Sequence, residues 1–122
     1  MAMIKTKVAK PKRSYLETML ANKIAAAGLP TPDEQFHAVP KRRFSWDFAY
    51  LDAKILIEVQ GSIWKPNTGH NSGKGLRRDY TKNNLAVKAG YHCLYFDKRM
   101  ITSGEAVAIL RDMLNEEVDH GR

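Results

Sequence analysis

The stretch FSWDFAYLDAKILIEVQG, residues 44–61, determines the predicted fold of this chain. Its two halves alternate apolar and polar side chains with period two, which is typical of strands that bury one face. Residues 51–54 separate the halves and suit a hairpin connection. We therefore predict an antiparallel hairpin at the centre of the chain.

The apolar side chains set the register of this hairpin. The favoured register places three aromatic residues opposite three β-branched ones, in the pairs Tyr50–Ile55, Phe48–Ile57 and Trp46–Val59. It also sets Asp47 beside Glu58 on the other face. Opposed like charges destabilise a sheet, and a cation between them would remove the repulsion. The pattern favours a Mg²⁺ site over the alternative, two acids on a solvated face.

Composition and charge restrict the class of protein. The chain has 122 residues, which fits one domain. Its net charge of +7 favours a polyanionic partner, most commonly nucleic acid. No apolar run is long enough for a membrane span, so we expect no membrane partner. The single cysteine, Cys93, excludes an intramolecular disulfide, and with no secretory signal we expect a cytoplasmic location, nucleoid-associated or in a phage-infected host.

Helix and strand signals outside the hairpin predict an α/β chain. Ser14 and Glu17 match a capping box at the start of a helix over residues 14–27. The remaining predicted elements are a strand at 34–39, a helix at 76–89, a strand at 91–96 and a helix at 104–118. We expect residues 1–13 to form a flexible basic arm, residues 14–118 a single domain, and residues 119–122 a frayed tail.

Basic and aromatic residues predict contacts with DNA. The long loop at residues 61–75 combines an aromatic with cations, and such loops are often functional. Aromatic side chains stack on bases, and cations hold phosphates. Trp64 has an alternative role, in which it anchors the loop to the core. The candidate DNA-binding residues are Lys41, Arg42, Arg43, Trp64, Lys65, Lys74, Arg77 and Arg78.

The order of elements and polar residues resembles the PD-(D/E)XK nuclease superfamily, especially small phage and bacterial endonucleases of the very-short-patch-repair and VRR-NUC-like groups. The resemblance covers residues 14–97. The residues that carry it are Asp47, Glu58, Val59, Gln60, Gly61, Trp64, His70, Arg78, Asp79, Lys82, Asn84, Gly90 and Tyr91. It implies an αβββαβ(α) restriction-endonuclease-like core, with a mixed central sheet flanked by helices.

The resemblance also implies metal-dependent hydrolysis of DNA phosphodiesters. Asp47 and Glu58, with the backbone carbonyl of Val59, would hold Mg²⁺, and Mn²⁺ would substitute for it. A glutamate from the first helix often completes such sites, and Glu17 matches it, although Glu17 also fits the capping box. His70 is a candidate general acid.

Gln60 departs from the family pattern, which usually has lysine at this position. Glutamine carries no charge and cannot serve as a base, although it can orient water or contact a phosphate. We expect the missing positive charge to come from Lys82 on the following helix, or from Lys74 or His70. The alternative for Lys82 is a solvated lysine paired with Asp79.

Three functions remain open at this stage. The first is a Mg²⁺-dependent DNA endonuclease, with branched or mismatched DNA as a candidate substrate. The second is a Holliday-junction resolvase, which would act as a homodimer because it must cut two strands symmetrically. The third is a non-catalytic DNA-binding module on a degenerate nuclease fold, which the glutamine at position 60 makes conceivable.

Overall fold

The fold is mixed α/β, with one four-stranded sheet flanked by helices. The computed structural model describes residues 13–61 and 73–120. Its elements are α1 (Tyr15–Ala26), β1 (Asp33–Phe36), β2 (Trp46–Tyr50), β3 (Ile55–Gln60), α2 (Gly73–Lys88), β4 (His92–Asp97), α3 (Lys98–Ser103) and α4 (Glu105–His120). The strand order is β1-β2-β3-β4. Only β3 and β4 run parallel; the other neighbours are antiparallel. The predicted fold class and mixed sheet are therefore confirmed.

The central hairpin has the register that its apolar residues predict. The observed pairs between β2 and β3 are Phe48–Ile57, Ala49–Leu56 and Tyr50–Ile55. Phe48, Tyr50, Ile55 and Ile57 belong to one buried cluster, which α1, α3 and α4 cover. Burial of one complete face fixes the register, since a shift by one residue would exchange the faces.

The prediction for Trp46 was wrong. Trp46 is fully buried in a second cluster, on the face where Ala49, Leu56 and Ala86 of α2 pack. The expected pairs of Trp46 with Val59 and Asp47 with Glu58 do not form, and the β2–β3 ladder ends at Phe48–Ile57. The physical reason lies in Asp47, whose Oδ2 accepts the Val59 amide N–H at 2.7 Å. The Asp47 side chain therefore takes the place of a backbone partner for Val59. Trp46 packs on the face opposite to the one that its alternation with Phe48 and Tyr50 predicts.

Helix α1 begins as its capping box predicts. The Ser14 hydroxyl accepts the Glu17 amide N–H at 3.1 Å, and the Ser14 amide donates to Glu17 Oε1 at 3.4 Å. Arg13, however, does not belong to a free arm. Its guanidinium binds Glu34 through Nε at 2.9 Å and Nη2 at 2.5 Å. This two-pronged pair connects the residues before α1 to β1.

The chain after β4 differs from its prediction, because helix α3 separates β4 from the last helix. Asp97 accepts the Met100 amide N–H at 2.9 Å and so caps α3. Gly104 ends it with φ at 90°, a left-handed conformation that glycine adopts most readily. Helix α4 then runs to His120, two residues beyond its predicted end. No helix of the described ranges is long and apolar enough to cross a membrane.

Candidate catalytic site

The candidate site lies where β2 and β3 separate. Asp47 precedes the last ladder pair on β2, and Glu58 follows it on β3. The two acids are close enough that the charge of Asp47 contributes to raising the pKa of Glu58. The separation of the strands therefore keeps the two carboxylates near each other without a direct backbone pair.

Asp47 is fixed by its bond to the backbone of Val59. The carboxylate is half-buried, and Oδ2 is the atom that accepts the Val59 N–H. A charge-assisted bond of this kind is stronger than one between neutral groups. This bond fixes the orientation of the Asp47 carboxylate beside β3.

Glu58 is paired with Lys82, which arrives from α2. The Lys82 Nζ lies 2.5 Å from Glu58 Oε2, and the two side chains are only 14% and 16% exposed. Burial raises the pKa of Glu58 and Lys82 opposes that rise, while the charge of Asp47 adds to it and a hydrogen bond from the Asp47 backbone lowers it. The same Nζ lies 4.7 Å from the centroid of the Trp46 ring, where the face of the indole attracts a cation. The alternative of Lys82 as a solvated helix lysine is therefore wrong.

Glu17 joins this group from α1 while it keeps its place in the capping box. Burial raises its pKa most, and the nearby charge of Asp47 raises it further, while the bonds from Ser14 lower it. Protonated Glu17 can donate a hydrogen bond to the Asp47 carboxylate, which also favours the neutral form. Both roles expected for Glu17 are thus compatible with its position.

The donor set suits a hard cation only in part. Among the side chains that the structure describes, those of residues 13–61 and 75–115, no three His, Cys, Asp or Glu come together as a metal site. Two carboxylates, with phosphate and water as further ligands, are nevertheless the usual protein contribution to a Mg²⁺ site. Asp47 and Glu58 fit such a two-carboxylate site. Glu17 lies beside Asp47 and is not one of these two ligands.

Gln60 lies two residues past Glu58 on β3. It ends β3 opposite Asp97 of β4 and lines a surface cavity between α1 and α3. Its side chain forms no hydrogen bond or ion pair with a described residue. The cation beside Glu58 is therefore Lys82 of α2 and not a residue of β3 itself.

The predicted DNA-binding residues are exposed where the structure describes their side chains. Lys41, Arg42 and Arg43 precede β2, and the Arg42 guanidinium lies 5.0 Å from the centre of the Phe44 ring. Arg77 and Arg78 lie on the outer part of α2, with Arg78 one turn before Lys82. Lys74 begins α2, but its side chain is outside the described set, as are Trp64, Lys65, His70 and residues 1–12.

Two aromatic residues at the site were not among the sequence candidates. Trp46 provides the ring beneath the Lys82 ammonium, although its alternation with Phe48 indicated an ordinary core residue. Tyr95 is the β4 partner of Glu58, and its hydroxyl donates to Asn83 Oδ1 at 3.1 Å. Burial raises the pKa of Tyr95 to about 12. Pairing with Glu58 could have identified Tyr95 as a site residue, but only if the register of β3 and β4 were known. The sequence does not give that register, because no short turn joins these two parallel strands.

Comparisons with known proteins do not identify a family. No model of a known protein family matches the sequence, and no curated protein matches it. The resemblance to the PD-(D/E)XK superfamily therefore depends on the motifs themselves.

Proposed function

We propose that this protein is a Mg²⁺-dependent endonuclease that hydrolyses phosphodiester bonds in DNA. One observation carries the proposal: two strand acids and a lysine from α2 lie together where β2 and β3 separate. Asp47 and Glu58 are these acids, Lys82 Nζ lies 2.5 Å from Glu58 Oε2, and Glu17 of α1 lies beside Asp47. Structural ion pairs rarely need this concentration of half-buried acids, because each one costs desolvation energy.

The acids are suited to hold a divalent cation. Asp47 and Glu58, with the carbonyl of Val59, would hold Mg²⁺, which would polarise a phosphate and lower the pKa of an attacking water. Burial disfavours the charged forms of Glu17 and Glu58 and raises the pKa of each. A cation would relieve this penalty, which couples metal binding to deprotonation.

Lys82 supplies the positive charge that Gln60 cannot. Its ammonium is held between a carboxylate and an indole face, largely shielded from water. A cation in such an environment interacts more strongly with a developing phosphate charge than one in bulk solvent does. We therefore assign transition-state stabilisation to Lys82 and the positioning of its ammonium to Trp46.

The exposed basic residues support DNA as the substrate. Arg78 lies one helical turn from Lys82, and Lys41, Arg42 and Arg43 lead into the strand that carries Asp47. Cations at these positions can hold phosphates on either side of the acids. We further propose an intracellular location, where DNA is found and where the thiol of Cys93 stays reduced.

Cleavage assays with matched variants test the proposal. Linear, nicked, mismatched and four-way-junction DNA would each be incubated with Mg²⁺, with Mn²⁺ and with EDTA. We expect metal-dependent cleavage that Asp47→Asn and Glu58→Gln each abolish. Glu105→Gln removes an exposed acid of α4 and is the matched control, which should cleave normally. Full cleavage by both site variants would overturn the metal-site assignment. Binding without cleavage of any DNA would instead support the non-catalytic module, and symmetric cutting of the junction by a dimer would support the resolvase.

A further inference from the structure

A cavity of about 630 Å³ opens next to the candidate catalytic site, between the beginning of α1 and the beginning of α3. Its polar and aromatic lining consists of Tyr15, Gln60, Asp97, Lys98, Arg99 and Thr102. None of the cations in this set, nor the tyrosine, was a candidate from the sequence. The cavity therefore adds a surface that the proposed catalytic residues do not use.

The chain connects this cavity directly to the acids. Leu16, the chain neighbour of Glu17 on α1, lines the cavity, and so does Gln60, which follows Glu58 by two residues on β3. A substrate that extends from the acids along the ends of β3 and β4 would enter the cavity. This continuity distinguishes the cavity from the others on the surface, such as the one beside Leu51 and Leu114 at the opposite end of β3.

The charges of the lining favour an anionic partner. Lys98 and Arg99 are both exposed, and the basic side chain of neither forms an ion pair or a hydrogen bond with a described residue. The one acid of the lining, Asp97, already accepts the Met100 amide N–H as the cap of α3. Two adjacent cations that pair with no described residue, beside an acid that already caps a helix, give the lining an excess of positive charge.

Tyr15 gives the cavity a flat apolar wall that the fold itself does not bury. Its side chain is 71% exposed, although it lies in the first turn of a helix whose Leu20 and Ile24 are fully packed. An exposed ring beside cations is the combination that binds nucleic-acid strands, since every base has a face that can stack. A small anion such as phosphate would make no use of the ring.

We propose that this cavity binds the DNA strand that flanks the cleaved bond, with a base stacked on Tyr15 and phosphates held by Lys98 and Arg99. The position of the bound strand relative to the cleaved bond rests on the proposed function. The proposal does not depend on catalysis for its test, because the contacts form in the bound complex before any reaction.

Binding measured in EDTA separates this proposal from the proposed function. Fluorescence anisotropy of labelled DNA strands and duplexes would compare the unsubstituted protein with the double variant Lys98→Ala/Arg99→Ala. The matched control is Lys23→Ala/Lys88→Ala, which removes two exposed lysines from the last turns of α1 and α2. We expect the cavity variant to bind about tenfold more weakly, with a salt slope lower by roughly 1.4 to 1.8, and the control to lose much less.

A second measurement tests the stacking partner. 2-Aminopurine placed at successive positions along the strand changes its fluorescence when it stacks on an aromatic ring. We expect a signal at one position that Tyr15→Leu abolishes and Tyr15→Phe keeps, because phenylalanine retains the ring. Thermal unfolding of each variant would establish that it is folded.

The outcomes distinguish the two proposals. Weaker binding by the cavity variants supports this inference even if no DNA is cleaved under any condition. Equal binding by the cavity and control variants, or an aminopurine signal that survives Tyr15→Leu, overturns it. Cleavage by the wild-type protein would leave the proposed function standing in that case.

Discussion

At the scale of single residues, Lys82 shows how a charge missing from one strand is supplied by another element. The motif position on β3 holds Gln60, yet an ammonium reaches Glu58 from α2 and rests over the ring of Trp46. Its burial restricts the side chain to this place, since an unpaired lysine would be costly there. The cation is thus part of the acid group and not a mobile surface charge.

We expect Lys82→Ala to lose most of its turnover on DNA, at least tenfold, while DNA binding changes little. The charge acts on the transition state more than on the ground state, so kcat falls more than affinity. Single-turnover rates at saturating DNA would measure this, with Lys88→Ala as the control for loss of an exposed lysine on the same helix. Addition of Gln60→Lys should restore part of the rate, because residues 58 and 60 are two apart on one strand. Wild-type turnover in Lys82→Ala would assign the catalytic charge elsewhere.

The two strand acids should differ in their effect on stability in EDTA. Glu58→Gln leaves the largely buried Lys82 without its partner, so we expect a loss of about 1–3 kcal/mol in the free energy of unfolding. Asp47→Asn keeps an oxygen that can accept the Val59 N–H and removes a charge near Glu17 and Glu58. It should therefore change stability by less than about 0.5 kcal/mol or raise it. Urea unfolding of both variants tests the difference, and equal losses would contradict the pairing of Glu58 with Lys82.

The pH dependence of stability should report the buried acids. The folded protein raises the pKa of Glu17 and Glu58, so between the ordinary glutamate value and the raised values it binds more protons than the unfolded chain. These two groups therefore make the metal-free protein less stable as pH rises above about 4.3 through that window. Glu17→Gln should reduce this slope, whereas Glu105→Gln should not. Thermal unfolding from pH 4 to pH 8 in EDTA measures it, and an unchanged slope in Glu17→Gln would argue against its burial beside Asp47.

At the scale of elements, α3 shows what a short helix needs in order to form. Its six residues would be unstable alone, since helices of this length gain too little to offset nucleation. Asp97 satisfies an amide at its start, Gly104 ends it, and Ile101 is completely buried against the core. This helix presents Lys98 and Arg99 at the end of the sheet, where the proposed strand-binding cavity lies.

We expect Gly104→Ala to destabilise the protein by about 1 kcal/mol. The residue has φ at 90°, where a side chain is strained, although a Cβ at this position would meet no atom within 4 Å. The cost would therefore be conformational and not a steric clash. Urea unfolding against Ala108→Ser, an exposed position of α4, would test this, and no loss would show that the backbone relaxes.

At the scale of the whole molecule, the sheet separates two packed faces and brings the site to one end. Helices α1, α3 and α4 cover the face with Phe48 and Ile57, and α2 covers the face with Trp46 and Leu56. Glu17 reaches the site from α1 on the first face, and Lys82 reaches it from α2 on the second. The site therefore depends on both faces being packed.

The net charge of +7 should make DNA binding strongly dependent on salt, because bound phosphates release counterions. Deletion of residues 1–12 should lower the slope of log K against log salt if these residues contact DNA. Arg13 is kept because it binds Glu34. Anisotropy in EDTA over a range of salt concentrations measures the slope. An unchanged slope would assign the phosphate contacts to residues 13–122.

The sequence by itself determined the local parts of this protein. Alternation fixed the hairpin and its three observed pairs, and the capping box fixed the start of α1, because each depends on residues near one another in the chain. The tertiary structure decided the rest. The change of face at Trp46, the pairing of Lys82 with Glu58 and the place of Gln60 in a separate cavity depend on how α1, α2 and β4 pack around the sheet. Those contacts join residues far apart in the chain, and the energy that selects them comes from burying both faces at once, which no local pattern contains.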